Sequence, residues 1–295
     1  MMHVNHLVVT VPESAVIQSV EYFLHGERTG VLLVHGLTGT PSEMRYVAKG
    51  LHRAGFTVYA MQLAGHCGTP DDLLSTGWRD WYRSVDEAAT RLMRSVDHLF
   101  VAGLSMGALL ALELAIERPR DVRGVALYGT TFRYDGWAIP AIARLAFLLP
   151  FVCSLGIGRR RVFMETFPYG IKEPRIRDRI ASSMLAGDSA AGGLAGNPWP
   201  SLAQFHLLSR HVRRRLGLVR APCLALHAAH DDVASARNVD MVCRGVAQPV
   251  ETVLLHDSYH MITVDRERNV VVDRTARFMR SIAARERALE DAPCA

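Results

Sequence analysis

The residues of this chain best suited to covalent chemistry are one serine held between two glycines and, far downstream, a pair of acids and a histidine. Ser105 stands in Gly103-Leu104-Ser105-Met106-Gly107. A serine hydroxyl is a weak nucleophile near neutral pH, so it needs a base within hydrogen-bond reach and a carboxylate that orients the base. Asp231-Asp232 and Ser258-Tyr259-His260 follow it in the chain, with His256 a lesser candidate for the base. Attack on an electrophilic carbonyl carbon is the chemistry such a set would perform.

Gly-x-Ser-x-Gly recurs by chance in glycine-rich loops, so its weight depends on the elements around it. Here the apolar run His98-Leu99-Phe100-Val101-Ala102 precedes it and a helical pattern from Met106 to Glu117 follows. Side chains at positions 103 and 107 would collide where strand and helix pack around the turn, which is why both are glycine. Upstream, Leu7–Val11 and Ile17–Phe23 read as two short strands in an antiparallel start. Val31-Leu32-Leu33-Val34 is a continuous apolar run suited to a strand covered on both faces. A glycine-rich loop, His35 to Gly39, leads into a helix that ends near Ala54, and a strand spans Phe56–Met61. Trp78, Trp81, Tyr82, Val85, Ala88, Ala89, Leu92 and Met93 then mark one face of a helix. Val125–Tyr128, Ala221–His227 and Val250–Leu255 read as further strands, with helices near Ser235–Arg244 and Arg266–Leu289; the last turns Val270, Val271, Thr275, Phe278, Met279 and Ile282 to the core. Strands alternating with helices specify a mainly parallel sheet with helices on both faces and ligand sites at the strands' carboxyl ends. Ser105, the Asp pair and His260 all fall at such ends.

The alternation stops between Thr131 and Arg215, where no strand is evident. This stretch reads as a mainly helical insertion, 131–215, over a core formed by 1–130 and 216–295. Within it, Trp137 to Gly158 is strongly apolar but interrupted by Pro140, Arg144 and Pro150. One or two helices fit it better than a membrane span, and shallow contact with a membrane surface is the alternative. Gly187 to Pro200 reads as a flexible loop.

The composition, 49% hydrophobic and 21% charged over 295 residues, is that of a globular chain with a sizeable core. A net charge of +5 invites an acidic partner. Yet the densest groups, Arg159-Arg160-Arg161 and Arg213-Arg214-Arg215, lack the interleaved aromatics of a nucleic-acid reader and are read as solvated faces. Five cysteines without C-x-x-C spacing argue against a disulfide framework and a zinc site. Together with an N-terminus that lacks a secretory pattern, they set the expectation of a cytoplasmic protein. His227-x-x-His230-Asp231 has no matching third ligand cluster, so no metal and no cofactor is expected. His35 and His66 each stand beside a glycine in a tight loop and are expected to make structural hydrogen bonds. For the Asp pair, capping of the following helix is the alternative to chemistry.

A tetrahedral oxyanion formed at Ser105 needs two preorganised N–H donors. In a serine turn of this kind the residue after the nucleophile, Met106, supplies one, and the loop after the Val31–Val34 strand supplies the other, from Leu37.

Taken together, His35-Gly36-Leu37-Thr38-Gly39, Gly65-His66, Gly103-Leu104-Ser105-Met106-Gly107, His230-Asp231 and Ser258-Tyr259-His260 resemble the small bacterial carboxylesterases of the α/β-hydrolase superfamily, with the monoacylglycerol lipases close by. The resemblance implies an α/β-hydrolase fold with a cap inserted after the strand that follows the nucleophile helix. It also selects Asp231 over Asp232 as the acid and His260 as the base. Two departures stand out: Cys67 occupies the third place of a loop that usually reads Gly-His-Gly, and Tyr259 replaces the glycine often found before the base. The expectation is a cofactor-free hydrolase of carboxylic esters acting through an acyl-enzyme. Apolar residues of the insertion, Trp137, Phe147 and Leu148 foremost, with Ile139, Leu145 and Phe151, would receive a short to medium acyl chain or a monoglyceride. A thioesterase, an acyltransferase or a carbon–carbon bond hydrolase could use the same three residues, and a ligand-binding protein without turnover could keep the fold.

Overall fold

The computed structural model describes residues 17–290, so the expected strand Leu7–Val11 lies outside the described residues. In chain order the elements are β1 (Tyr22–Leu24), β2 (Thr29–Val34), α1 (Arg45–Arg53), β3 (Thr57–Ala60), α2 (Pro70–Leu74), α3 (Trp78–Met93), β4 (His98–Leu104), α4 (Met106–Glu117) and β5 (Val122–Tyr128). A long connection carries α5 (Leu149–Ser154), β6 (Val162–Met164), α6 (Pro174–Leu185), α7 (Ser189–Gly192), β7 (Gly196–Pro198) and α8 (Trp199–Arg215). The chain closes with β8 (Cys223–Ala228), α9 (Arg237–Gly245), β9 (Val250–Leu255) and α10 (Arg268–Glu290).

Seven strands form one sheet in the order β1-β3-β2-β4-β5-β8-β9, parallel except for β1, which runs antiparallel to β3. Alternation along the strands divides the core between the two faces. Leu32, Val34 and Val101 pack with α3, α4 and α8, while Val31, Leu33, Phe100 and Ala102 pack with α1 and α10. Both faces are covered, so the central strands read as unbroken apolar runs. The expected strand Ile17–Phe23 shrinks to three residues because β1 is an edge strand with only partly buried side chains. On α10, Val271, Thr275, Phe278, Met279 and Ile282 are buried, but Val270 lies at the margin of the face and stays partly exposed.

The long connection departs from expectation in three ways. It holds an antiparallel pair, β6 with β7, whose three-residue strands are too short to leave an alternating pattern in the sequence. Gly187–Pro200 is not an irregular loop but runs through α7 and β7 into α8. Its glycines serve close fit: Gly193 takes φ 79°, and a Cβ at Gly196 would lie 2.9 Å from the Phe163 carbonyl oxygen. Finally, α8 packs on the sheet side of the connection, with Phe205, Leu208 and Val212 fully buried among the residues of α3 and α4. Each contributes about 1.5–3 kcal/mol of apolar burial. The pairing of α8 with α4 is also ionic, since the buried Glu113 carboxylate accepts from His211 Nε2 at 2.9 Å and from Arg215.

Candidate active site

Ser105 occupies the junction of β4 and α4 with φ 56° and ψ −113°, a conformation that L-residues adopt only when their surroundings impose it. The imposition is visible. The Ser105 N–H donates to the Tyr128 carbonyl at 2.8 Å, a Cβ at Gly103 would meet the Gly107 carbonyl oxygen at 2.1 Å, and a Cβ at Gly107 would meet the Val34 carbonyl oxygen at 2.3 Å. Both glycines are therefore required for β4, α4 and β2 to approach, which leaves the serine side chain at the carboxyl edge of the sheet.

His260 follows β9 and Asp231 follows β8, and the neighbouring strands bring the two loops together. His260 Nδ1 lies 2.8 Å from Asp231 Oδ2, and both side chains are buried. Asp231 Oδ1 accepts the N–H groups of Val233 and Ala234 at 2.8 and 2.7 Å, so this carboxylate cannot rotate without losing two further bonds. It closes a turn ahead of α9 and does not cap it, since Ala236 holds the N-cap position. Burial pushes the Asp231 carboxyl up, but the His260 and His227 imidazoles and the Ala234 N–H outweigh it, so the group sits below the ordinary carboxylate range. His260 moves the other way: burial pulls it down, and Asp231, with Asp232 and Glu165, more than offsets that and leaves it raised. An ionised acid that only accepts fixes the proton on Nδ1, so Nε2 of the neutral ring carries a lone pair. That nitrogen is buried and has no hydrogen-bond partner among the described residues.

Ser105 and His260 line one cavity of about 410 Å³. The Ser105 hydroxyl is turned to Thr131 Oγ1 at 3.1 Å, while the Thr131 hydroxyl itself donates to the Gly129 carbonyl at 3.0 Å, so Ser105 must be the donor of the pair. With that hydroxyl proton directed to Thr131, Ser105 makes no hydrogen bond to His260 Nε2, and the proton must be redirected for the imidazole to take it.

The loop after β2 lies against the serine, with a Cβ at Gly36 falling 3.6 Å from Ser105 Cβ, and Leu37 lines the cavity. Met106 is the first residue of α4, where backbone N–H groups have no intrahelical acceptor. His35 and His66 make backbone contacts: His35 Nδ1 donates to the Gly36 carbonyl while Nε2 accepts from the Leu63 N–H, and His66 Nδ1 donates to the Ala64 carbonyl. Burial drives both rings far toward neutrality, to about 3 and about 4. Cys67, at φ 66°, is buried beside them, and burial with the nearby Glu43 pushes its thiol up to about 12. His256 is exposed and its N–H faces Glu267, away from the cavity. His227 is fully buried and His230 exposed, so the two do not converge.

Asp232 makes no hydrogen bond to the His260 ring. Its two oxygens accept the His260 N–H at 3.2 Å and the Gly170 N–H at 2.9 Å, tying the base loop to the connecting segment. Of the apolar residues singled out in that segment, Leu148, Ile139 and Leu145 line the cavity. Trp137, Phe147 and Phe151 do not: Trp137 donates from Nε1 to the His230 carbonyl and packs on Tyr259, and Phe147 and Phe151 are 63% and 67% exposed. Phe147 and Leu148 lie in a 3-10 segment, Ala141–Leu148, that turns sequence neighbours through about 120° per residue, so these adjacent apolar side chains cannot share one wall.

Sequence reasoning gave no role to several polar residues of the cavity, Glu43, Glu165 and Asn197 among them. Glu43 accepts the Gly36 N–H at 3.3 Å, and its carboxyl is raised by burial to about 7. Glu165 accepts from Asn197 Nδ2 at 2.5 Å, and burial raises it too. The pair is invisible in the sequence because β6 and β7, which align them, carry no pattern.

Residues 26–267 match the family described as "Serine aminopeptidase, S33" (Hydrolase_4). The chain belongs to this family. It is thus a serine hydrolase of the α/β-hydrolase superfamily. It is 30% identical over 258 residues to the thermostable monoacylglycerol lipase of Bacillus sp. (strain H-257), covering 87% of this chain and 92% of that protein. It is 23% identical over 259 residues to a carboxylesterase of Bacillus subtilis (strain 168), covering 87% and 94%. Among solved structures, one from a study of the metagenome-derived lipolytic enzymes LipS and LipT aligns with a TM-score of 0.72 at 26% identity, covering 88% of this chain and 97% of that one.

Proposed function

We propose that the protein hydrolyses carboxylic esters with an apolar acyl part, using Ser105 as nucleophile, His260 as general base and acid, and Asp231 to orient and charge-stabilise the imidazolium. The observation that carries this reading is the His260–Asp231 contact at 2.8 Å together with an unpartnered His260 Nε2 on the cavity shared with Ser105. In the reaction the Ser105 hydroxyl swings from Thr131 to His260 Nε2, gives up its proton and attacks the ester carbonyl. The N–H groups of Leu37 and Met106 receive the oxyanion, a contribution of about 3 kcal/mol per donor. His260 then protonates the departing alcohol, and water, activated by the same nitrogen, releases the acid. Residues 131–215 act as a cap whose Leu145, Leu148, Leu149 and Val152 form an apolar wall for the acyl chain.

A monoacylglycerol is the favoured form of that ester. The relative at 30% identity is a monoacylglycerol lipase, and the polar corner of the cavity formed by Glu43, Glu165 and Asn197 suits an alcohol that keeps free hydroxyl groups. The decisive experiment compares the wild type with Ser105→Ala on p-nitrophenyl esters of increasing chain length, then on monoacyl- and triacylglycerols. Hydrolysis that Ser105→Ala abolishes supports the ester reading, and a preference for the monoacylglycerol supports the narrower one. A wild type inert on every ester refutes both and favours ligand binding without turnover.

A further inference from the structure

Between Gly136 and Met164 the chain contains no aspartate or glutamate, and its charged residues are Arg144, Arg159, Arg160 and Arg161. The flanking acids are engaged elsewhere, Asp135 with Ser235 and Asn238 and Glu165 with Asn197. Among the described residues the same stretch holds most of the exposed large apolar side chains, with Ile142 at 69%, Phe151 at 67%, Leu155 at 61% and Ile157 at 56% exposure. Arg159, Arg160 and Arg161 are exposed beside them and make no ion pair among the described residues. Scattered apolar residues on a protein surface need no explanation, but a continuous stretch of them combined with uncompensated cations does. It is the composition of a surface that sits in a lipid headgroup region, where the apolar groups leave water and the guanidinium groups meet phosphate.

The location narrows the occupant. Ile142, Leu145 and Leu148 are exposed and also line the cavity that holds Ser105, so the apolar surface continues into the cavity. No helix among the described residues is long and apolar enough to cross a membrane, so the contact is peripheral. From the charge complementarity and this continuity we infer that the face formed by residues 136–164 docks on an anionic lipid surface, with Phe151, Leu155 and Ile157 entering the headgroup layer and Arg159 and Arg160 pairing with lipid phosphates. A lipid held at this face has its acyl chain at the entrance to the cavity. The inference concerns binding alone and holds whichever ester is cleaved.

The test is sedimentation with sucrose-loaded vesicles, one set of phosphatidylcholine and one with roughly one-third phosphatidylglycerol, the anionic fraction setting the surface potential. Ser105→Ala is used so that no lipid is consumed. This background should partition onto the anionic vesicles more strongly than onto the neutral ones and lose the difference as salt is raised. Adding Arg159→Gln/Arg160→Gln should lower anionic binding about 30-fold, from about fivefold for each arginine near the surface. Adding Phe151→Ser should lower binding to both sets by at least about tenfold. Each change made in the otherwise wild-type chain should leave the turnover of a soluble p-nitrophenyl ester unchanged, which separates failure of docking from failure of the catalytic reading and from misfolding. Equal binding to both vesicle types, no binding, or a double arginine variant that binds as before would overturn the inference. So would a stable dimer by light scattering that Phe151→Ser dissolves, because a second copy would then cover the face.

Discussion

Replacing Asp231 by asparagine gives a sharp test because the structure separates what the substitution keeps from what it loses. The side-chain oxygen can keep both backbone bonds, to Val233 at 2.8 Å and Ala234 at 2.7 Å, so the turn stays closed. The amide nitrogen then stands where Oδ2 now accepts from His260 Nδ1. Two donors cannot face each other, so the imidazole must move its proton to Nε2, and the nitrogen facing the cavity can no longer take a proton from Ser105. In serine hydrolases with this hydrogen-bond order the wrong tautomer lowers kcat by about 10⁴, about 5 kcal/mol of barrier. The substitution also removes the main charge that raises the His260 pKa. Activity requires the neutral ring and is lost as pH falls through that pKa, so the acid limb of the kcat/KM profile should move to lower pH in the variant. Steady-state kinetics on a p-nitrophenyl ester between pH 5 and 9, with thermal unfolding as a control, measures both effects. A folded Asp231→Asn protein that loses less than about tenfold in kcat, or keeps its acid limb in place, would refute the assignment.

Asp232→Asn should behave differently: it can keep only one of the N–H groups of His260 and Gly170, so it should cost about 1–2 kcal/mol of stability, read by urea unfolding, and leave kcat within about tenfold. Glu43 is raised from an ordinary 4.5 to about 7, so its contribution to stability is fully present below pH 4.5 and is lost as pH rises through about 7. Glu43→Gln, which keeps an acceptor for Gly36, should therefore gain on the wild type in urea unfolding between pH 5 and 8, by about 3 kcal/mol as an upper bound; a gap that does not change with pH would contradict the burial argument. Leu148→Ala should shift the acyl-length optimum while Phe147→Ala should not, since Leu148 alone of the two lines the cavity; equal profiles would remove both from the acyl site. Thiol labelling at pH 8 followed by peptide mass spectrometry should modify exposed Cys243 and spare Cys67 and Cys223 in the native protein, because both are buried with thiols pushed up to about 12.

Much of this protein is legible along the chain because its core obeys local rules. The strands that became β2, β4, β5 and β8 are covered on both faces, so each is a short apolar run bounded by turn residues. The turn at Ser105 is visible because only glycine fits at 103 and 107. The loops that carry Asp231 and His260 can be placed because each follows a strand, the covered β8 for Asp231 and the edge strand β9, largely exposed but rich in Val and Leu, for His260.

The long connection between β5 and β8 obeys no such rule. Its strands are three residues long, its 3-10 segment directs adjacent side chains to different sides, and its glycines serve close contacts with distant residues. Glu165 met Asn197 and Leu148 parted from Phe147 through those contacts, and nothing in residue order records them. In the same way the order of residues offers Asp231 and Asp232 as equals, and the geometry separates them, one bonded to the imidazole ring and the other to the backbone of its loop. Residue types and periodicity by themselves determined the sheet, the serine turn and the set of groups near it, since these follow from burial and backbone sterics within a few residues. The tertiary structure alone decided which oxygen faces which nitrogen and which apolar side chains reach the cavity, because those depend on contacts between segments that lie on different elements, such as Asp231 after β8 with His260 after β9 and Glu165 with Asn197.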